Sequence, residues 1–143
     1  MPEGMLRQAT ASVVVSASPE RAFDAWLDPK IAARFLIAGE NDTSDVAIDP
    51  REGGAFEVVM HAPGRQIRHH GRYVVIDRPR TLVFTWISAG TEHQLSLVTV
   101  TFTPVAGGVR VDLLHEGLPG DRGAAAHERG WASIFAKLAD VLA

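Results

Sequence analysis

The 143-residue chain contains no cysteine, which removes disulfides, thiolate metal sites and cysteine nucleophiles from consideration. It has no apolar run long enough to cross a bilayer, and Met1-Pro-Glu-Gly-Met-Leu-Arg7 lacks the apolar core of a signal peptide. A cytoplasmic location is the expectation that follows. An excess of one charge is missing too: 14 Lys and Arg against 17 Asp and Glu leave a formal net charge of −3 at pH 7. The basic side chains are dispersed rather than striped, so neither nucleic acid nor a membrane is expected as a partner. No internal repeat, low-complexity tract or linker interrupts the chain. Its length suits one domain that buries roughly two-thirds of its unfolded surface. One domain over residues 1–143, with an ordered core from about 9 to 142, is therefore expected.

The most informative stretch is the tail. Trp131, Ile134, Phe135, Leu138 and Leu142 recur at i, i+3, i+4, i+7 and i+11, one apolar stripe down a single long helix. Asp121 stands where it can cap that helix. Ahead of it, Ala11 to Ser16 reads as a β-branched first strand. Ser18-Pro19-Glu20 opens a helix whose Phe23, Trp26 and Leu27 share a face, and Asp28-Pro29 caps a second short helix carrying Ile31, Phe35 and Leu36. A meander follows, with strands expected over 45–48, 55–61, 66–77, 81–88, 94–103 and 109–116, punctuated by Gly and Pro turns. The expected class is α+β, a seven-stranded curved antiparallel sheet gripping the long C-terminal helix.

Several segments carry a resemblance to a known family. They are Ser-Ala-Ser-Pro-Glu-Arg-Ala-Phe-Asp-Ala-Trp over 16–26, the Gly53-Gly54-Ala-Phe turn, Gly71-Arg-Tyr, Pro79-Arg-Thr-Leu-Val-Phe-Thr-Trp86, Thr99-Val-Thr-Phe and Gly130-Trp131. Together they resemble the bacterial relatives of the activator of Hsp90 ATPase homologue, within the SRPBCC (START-like, helix-grip) superfamily. The resemblance runs from about residue 10 to 142. It implies a helix-grip fold. It also implies a range of roles: lipid carrier, polyketide cyclase, hydroxylase subunit, or a stress-related co-chaperone domain. The separate chaperone-stimulating domain of the eukaryotic activator has no counterpart outside the one expected domain.

Strand order predicts where a site would lie. Sequential antiparallel pairing crowds Met60, His69, Trp86, Leu95 and His115 onto one rim of the sheet, beside the start of the long helix and near Phe35 and Leu36. Alternation turns His69 inward with Ile67 and Tyr73, and His115 inward with Val109, Val111 and Leu113; His70 and Glu116 face out. A bulge near Val75 disturbs only residues beyond it. Arg65, Arg68 and Arg72 are assigned to the solvated outer surface. The expected pocket is apolar, bounded by Phe35, Leu36, Met60, His69, Tyr73, Trp86, Leu95, His115, Trp131 and Phe135, with its open space between Trp86, His115 and Trp131.

Two inward imidazoles suit general acid–base work. No carboxylate stands at a matching inward position, so hydrogen-bonded structural histidines are favoured over catalysis. His69-His70 and His115-Glu116 point to opposite faces of their strands, and His127-Glu128 lacks a histidine four residues on, so no metal is expected. Ser16, Ser18, Ser88 and Ser96 have no nucleophile-elbow setting. Gly53-Gly54 and Gly107-Gly108 are hairpin turns rather than phosphate loops, so no cofactor is expected. The expectation is a non-catalytic binder of a hydrophobic or amphipathic small molecule. The alternatives are a co-chaperone-like interaction domain and a cyclase or dehydratase shuttling protons through His69 or His115. A homodimer and a chaperone contact are the further partner expectations.

Overall fold

The computed structural model describes residues 6–39 and 41–143; most of the segment read above for a signal peptide therefore lies outside the described residues. Strand β1 (Leu6–Val15) is followed by helices α1 (Pro19–Ala25) and α2 (Pro29–Phe35), then strands β2 (Thr43–Ile48), β3 (Ala55–Ala62), β4 (Arg65–Asp77) and β5 (Thr81–Trp86). A single 3-10 turn at Ala89–Thr91 leads into β6 (Ser96–Val105) and β7 (Gly108–Pro119), and helix α3 (Gly120–Leu142) closes the chain. The strands form one antiparallel sheet in the order β1-β7-β6-β5-β4-β3-β2. This is the expected α+β helix-grip architecture, with seven strands, two short helices after the first and the long helix last.

Local chemistry places the helices. Ser18 Oγ accepts from the Arg21 N–H at 3.1 Å and starts α1. Asp28 Oδ1 accepts from the Lys30 N–H at 2.9 Å and starts α2. Each has proline at its first position, where the missing N–H costs nothing. In α3 the whole predicted stripe, Trp131, Ile134, Phe135, Leu138 and Leu142, is buried. Asp121 does not cap α3. The helix starts from Pro119 with no side-chain cap, and Asp121 lies in the first turn, where it accepts from Arg7 Nε at 2.6 Å. The cause is that β1 begins at Leu6, earlier than expected, and so brings a guanidinium within reach of that carboxylate. Further along the same edge, Glu128 Oε1 accepts from the Thr10 N–H at 3.1 Å. Helix α3 thus satisfies a donor that an edge strand leaves open. At the other end of α3, Arg21 Nη1 donates to the Leu142 carbonyl at 2.8 Å, tying α1 to the helix terminus where cations are favoured.

The bend in the sheet has an identifiable origin. The β4–β5 register shifts between Tyr73 and Val75, and the Arg72 N–H donates to the Thr85 side-chain Oγ1 rather than to a carbonyl. Gly71 sits beside this break. A Cβ there would stand 2.0 Å from the Thr85 carbonyl oxygen and 2.9 Å from Phe56 Cε2. Only glycine permits so close a crossing, which lets β4 curl over the core. Gly71→Ala is expected to cost about 2–3 kcal/mol through forced backbone displacement. Urea unfolding checks this: an unchanged midpoint would mean the crossing is not tight.

Candidate functional site

Between α3 and the β3–β4 end of the sheet lies a cavity of about 270 Å³ that opens to solvent. Met60 of β3, Arg65, Ile67 and His69 of β4, and Trp86 of β5 form one wall. Ala126, His127, Gly130, Trp131 and Ile134 of α3 form the facing wall, and Ile37 and Ala38, just after α2, close a side. Positions 65, 67 and 69 alternate onto the same face of β4, as a strand requires. Arg65 therefore belongs to the mouth of the cavity and not to the outer surface with Arg68 and Arg72. His127, Gly130, Trp131 and Ile134 fall at i, i+3, i+4 and i+7, so the periodicity that marks the core stripe also marks this wall. That spacing was the signal available for His127.

His69 is the recessed polar group of the cavity, 8% exposed. Its ring lies over Trp86, with centroids 4.7 Å apart and planes 31° apart. Its Nδ1 is 3.4 Å from the Val58 carbonyl oxygen on the paired strand. A carbonyl can only accept, so Nδ1 carries the proton and Nε2 presents a lone pair. Burial pushes the His69 pKa down to about 4, against a smaller upward pull from the Val58 carbonyl. At neutral pH the ring is uncharged.

His115 has a different role from the one expected. It is fully buried, and both ring nitrogens are occupied. Trp131 Nε1–H donates to His115 Nδ1 at 3.0 Å. A neutral imidazole accepting at Nδ1 carries its proton on Nε2, which therefore donates to Ser96 Oγ at 2.7 Å. The Ser96 hydroxyl in turn donates to the Trp86 carbonyl oxygen. This closed chain joins α3, β7, β6 and β5 with every polar atom paired. Burial, with a smaller contribution from nearby His127, pushes the His115 pKa down to about 3. The space between Trp86, His115 and Trp131 is filled, with the two indole centroids 5.1 Å apart. The open volume lies on the other side of those indoles, toward His69.

Other predicted pocket residues divide between two places. Met60, His69, Trp86 and Trp131 line the cavity. Leu36 and Tyr73 line a separate void of about 20 Å³, together with Trp26 and Phe84, and burial raises the Tyr73 hydroxyl pKa. Phe35 and Phe135 line neither; they pack edge-on against Trp26, at 5.1 and 6.2 Å. Their helical faces turn into the core because Trp26 occupies the space between α2 and α3. Leu95 is 64% exposed and stands outside the cavity. The 3-10 turn and the left-handed Glu92 and His93 delay β6 until Ser96. Ser96 shares the buried face with Val98, Val100 and Phe102, and Leu95 has the opposite parity. The importance of Ser96 escaped the sequence because a serine in a strand advertises no partner. Among the described residues no three His, Asp or Glu side chains converge to hold a metal ion.

The geometry can now be set beside known proteins. The family described as "Activator of Hsp90 ATPase homolog 1-like protein" matches residues 16–143. The chain belongs to that family. A crystal structure of a protein from Chromobacterium violaceum is similar at 27% identity and a TM-score of 0.80, covering 95% of this chain and 97% of that one. A Staphylococcus aureus protein described as of unknown function shares 16% identity with a TM-score of 0.82, over 98% and 95% of the two chains. A Rhodobacter sphaeroides protein shares 22% identity with a TM-score of 0.81, over 94% and 91%. The last two show the fold alone. No curated protein matches the chain. For this member of the Activator of Hsp90 ATPase homolog 1-like family, the matched segment contains the whole cavity wall. No helix among the described residues is long and apolar enough to cross a membrane.

Proposed function

We propose that the chain binds a hydrophobic or amphipathic small molecule in the cavity between His69, Trp86 and Trp131, without catalysing a reaction on it. The observation that carries this reading is the cavity itself: about 270 Å³, walled by Met60, Ile67, Trp86, Trp131 and Ile134, with one recessed imidazole as its polar handle. An apolar enclosure with few placed polar groups is the common form of a small-molecule site. The closed hydrogen-bond chain at His115 supports binding over acid–base chemistry, since an imidazole tied at both nitrogens has no free site for a substrate proton.

Native mass spectrometry of freshly purified protein is expected to show a co-purifying small molecule released by organic solvent. Ala126→Trp places an indole into the cavity from an exposed helical position. It is expected to weaken occupancy by roughly tenfold or more, about 1.4 kcal/mol of binding, with little change in stability. The reading fails if no adduct is found and added naphthalene leaves the Trp86 and Trp131 indole N–H resonances unmoved.

A further inference from the structure

We propose that the cavity selects a neutral ligand whose flat apolar body carries an O–H or N–H donor aimed at His69 Nε2. This rests on the ligand-binding reading above and sharpens it to a chemical class. The Nδ1–H of His69 is committed to the Val58 carbonyl. The lone pair is therefore fixed on Nε2. Among the described residues the sealed polar side-chain atoms without partners are Trp26 Nε1 and Ser44 Oγ. His69 Nε2 is not one of them, and among the described residues no protein donor reaches it. It is consequently open to the space its ring lines, which is the cavity. The stacking on Trp86 holds the ring plane in place.

The surrounding groups narrow the class further. Among the described residues Arg65 is the sole permanent cation of the wall, and it is exposed at the mouth rather than beside His69. A carboxylate would settle there, in reach of water. At His69 it would set lone pair against lone pair, as an ether or carbonyl would. His127 carries the same tautomer: its Nδ1 donates to the Gly123 carbonyl at 2.7 Å, which leaves a lone pair on Nε2, with the Cε1–Nε2 edge turned toward Gly90. The His69→Leu variant below distinguishes the two acceptors. Trp86 and Trp131, 5.1 Å apart, both line the cavity and give an aromatic wall for an apolar body. A recessed acceptor left unpaired is costly, so the donor-bearing ligand gains a bond that its methylated counterpart cannot form.

Calorimetric titration of the full chain at pH 7 with 2-naphthol, 2-methoxynaphthalene and 2-naphthoate tests this. The expected result is 2-naphthol binding roughly five- to tenfold more tightly than 2-methoxynaphthalene. In His69→Leu that ratio falls to about one, and in His69→Gln, which keeps an acceptor, part of it returns. The wild-type ratio needs no variant to be read. A wild-type ratio of one or less, or a ratio that survives in His69→Leu, overturns the proposal. So does 2-naphthoate binding most tightly with that advantage lost in Arg65→Gln, which would place an anion site at the mouth instead. If none of the three compounds binds, the cavity reading itself falls and this inference with it.

Discussion

Trp131→Ala is expected to lower the unfolding free energy by about 3–5 kcal/mol, as removal of a buried tryptophan does. Trp131 is 2% exposed and packs against Trp26, Trp86 and His115 at centroid distances of 6.5, 5.1 and 5.9 Å. The loss has two separable parts. One is the void left when the indole goes; the other is the His115 Nδ1 acceptor stripped of its donor. Trp131→Phe keeps most of the ring and removes the N–H. It should show the second part chiefly, about 1–3 kcal/mol. Urea unfolding of both variants measures the split. Equal, small losses would mean that Trp131 neither fills the core nor holds His115, and that the hydrogen-bond chain through Ser96 is not formed.

The fold was legible because its signals agree with one another. The 131–142 stripe, the Ser18-Pro19 and Asp28-Pro29 starts and the regular turns each specify a local element, and only one packing buries all their apolar faces. The site was less legible, for particular reasons. Alternation turned His69 and His115 inward correctly, yet it carries no information on which side chain another will meet. The indole of Trp131 reaches across from α3 to seal His115 on β7, while His69, three strands away on β4, keeps a nitrogen open. Leu95 failed because strand order alone placed it on the rim: Val98, Val100 and Phe102 set the buried face of β6, and Leu95 has the opposite parity. Arg65 failed because charge was read as a sign of solvent, although its parity with Ile67 and His69 places it at the mouth.

Acid is expected to unfold this protein steeply between pH 6.5 and about 4, with close to two protons taken up per molecule. The sign follows from the shifts at His69 and His115. In the unfolded chain both titrate near 6.5; in the folded protein burial holds them down to about 4 and about 3. Between those limits the unfolded state binds protons that the folded state refuses, so stability falls as pH falls. The full stabilisation is present above pH 6.5. With both groups engaged, the slope is on the order of 3 kcal/mol per pH unit. Over the window it amounts to a large share of the 5–15 kcal/mol typical of a domain. Partial relaxation of the buried rings would reduce that figure without changing its sign. Below about pH 4 His69 protonates in the folded state too, and only His115 continues to drive unfolding. His115→Gln and His69→Gln each remove one titrating ring, so each should halve the slope of stability against pH measured by urea unfolding from pH 7 to 4. An unchanged slope in both would mean the imidazoles already carry charge in the folded protein. A proton on both His115 nitrogens is incompatible with accepting from the Trp131 N–H, so that result would break the same chain that the Trp131 variants probe.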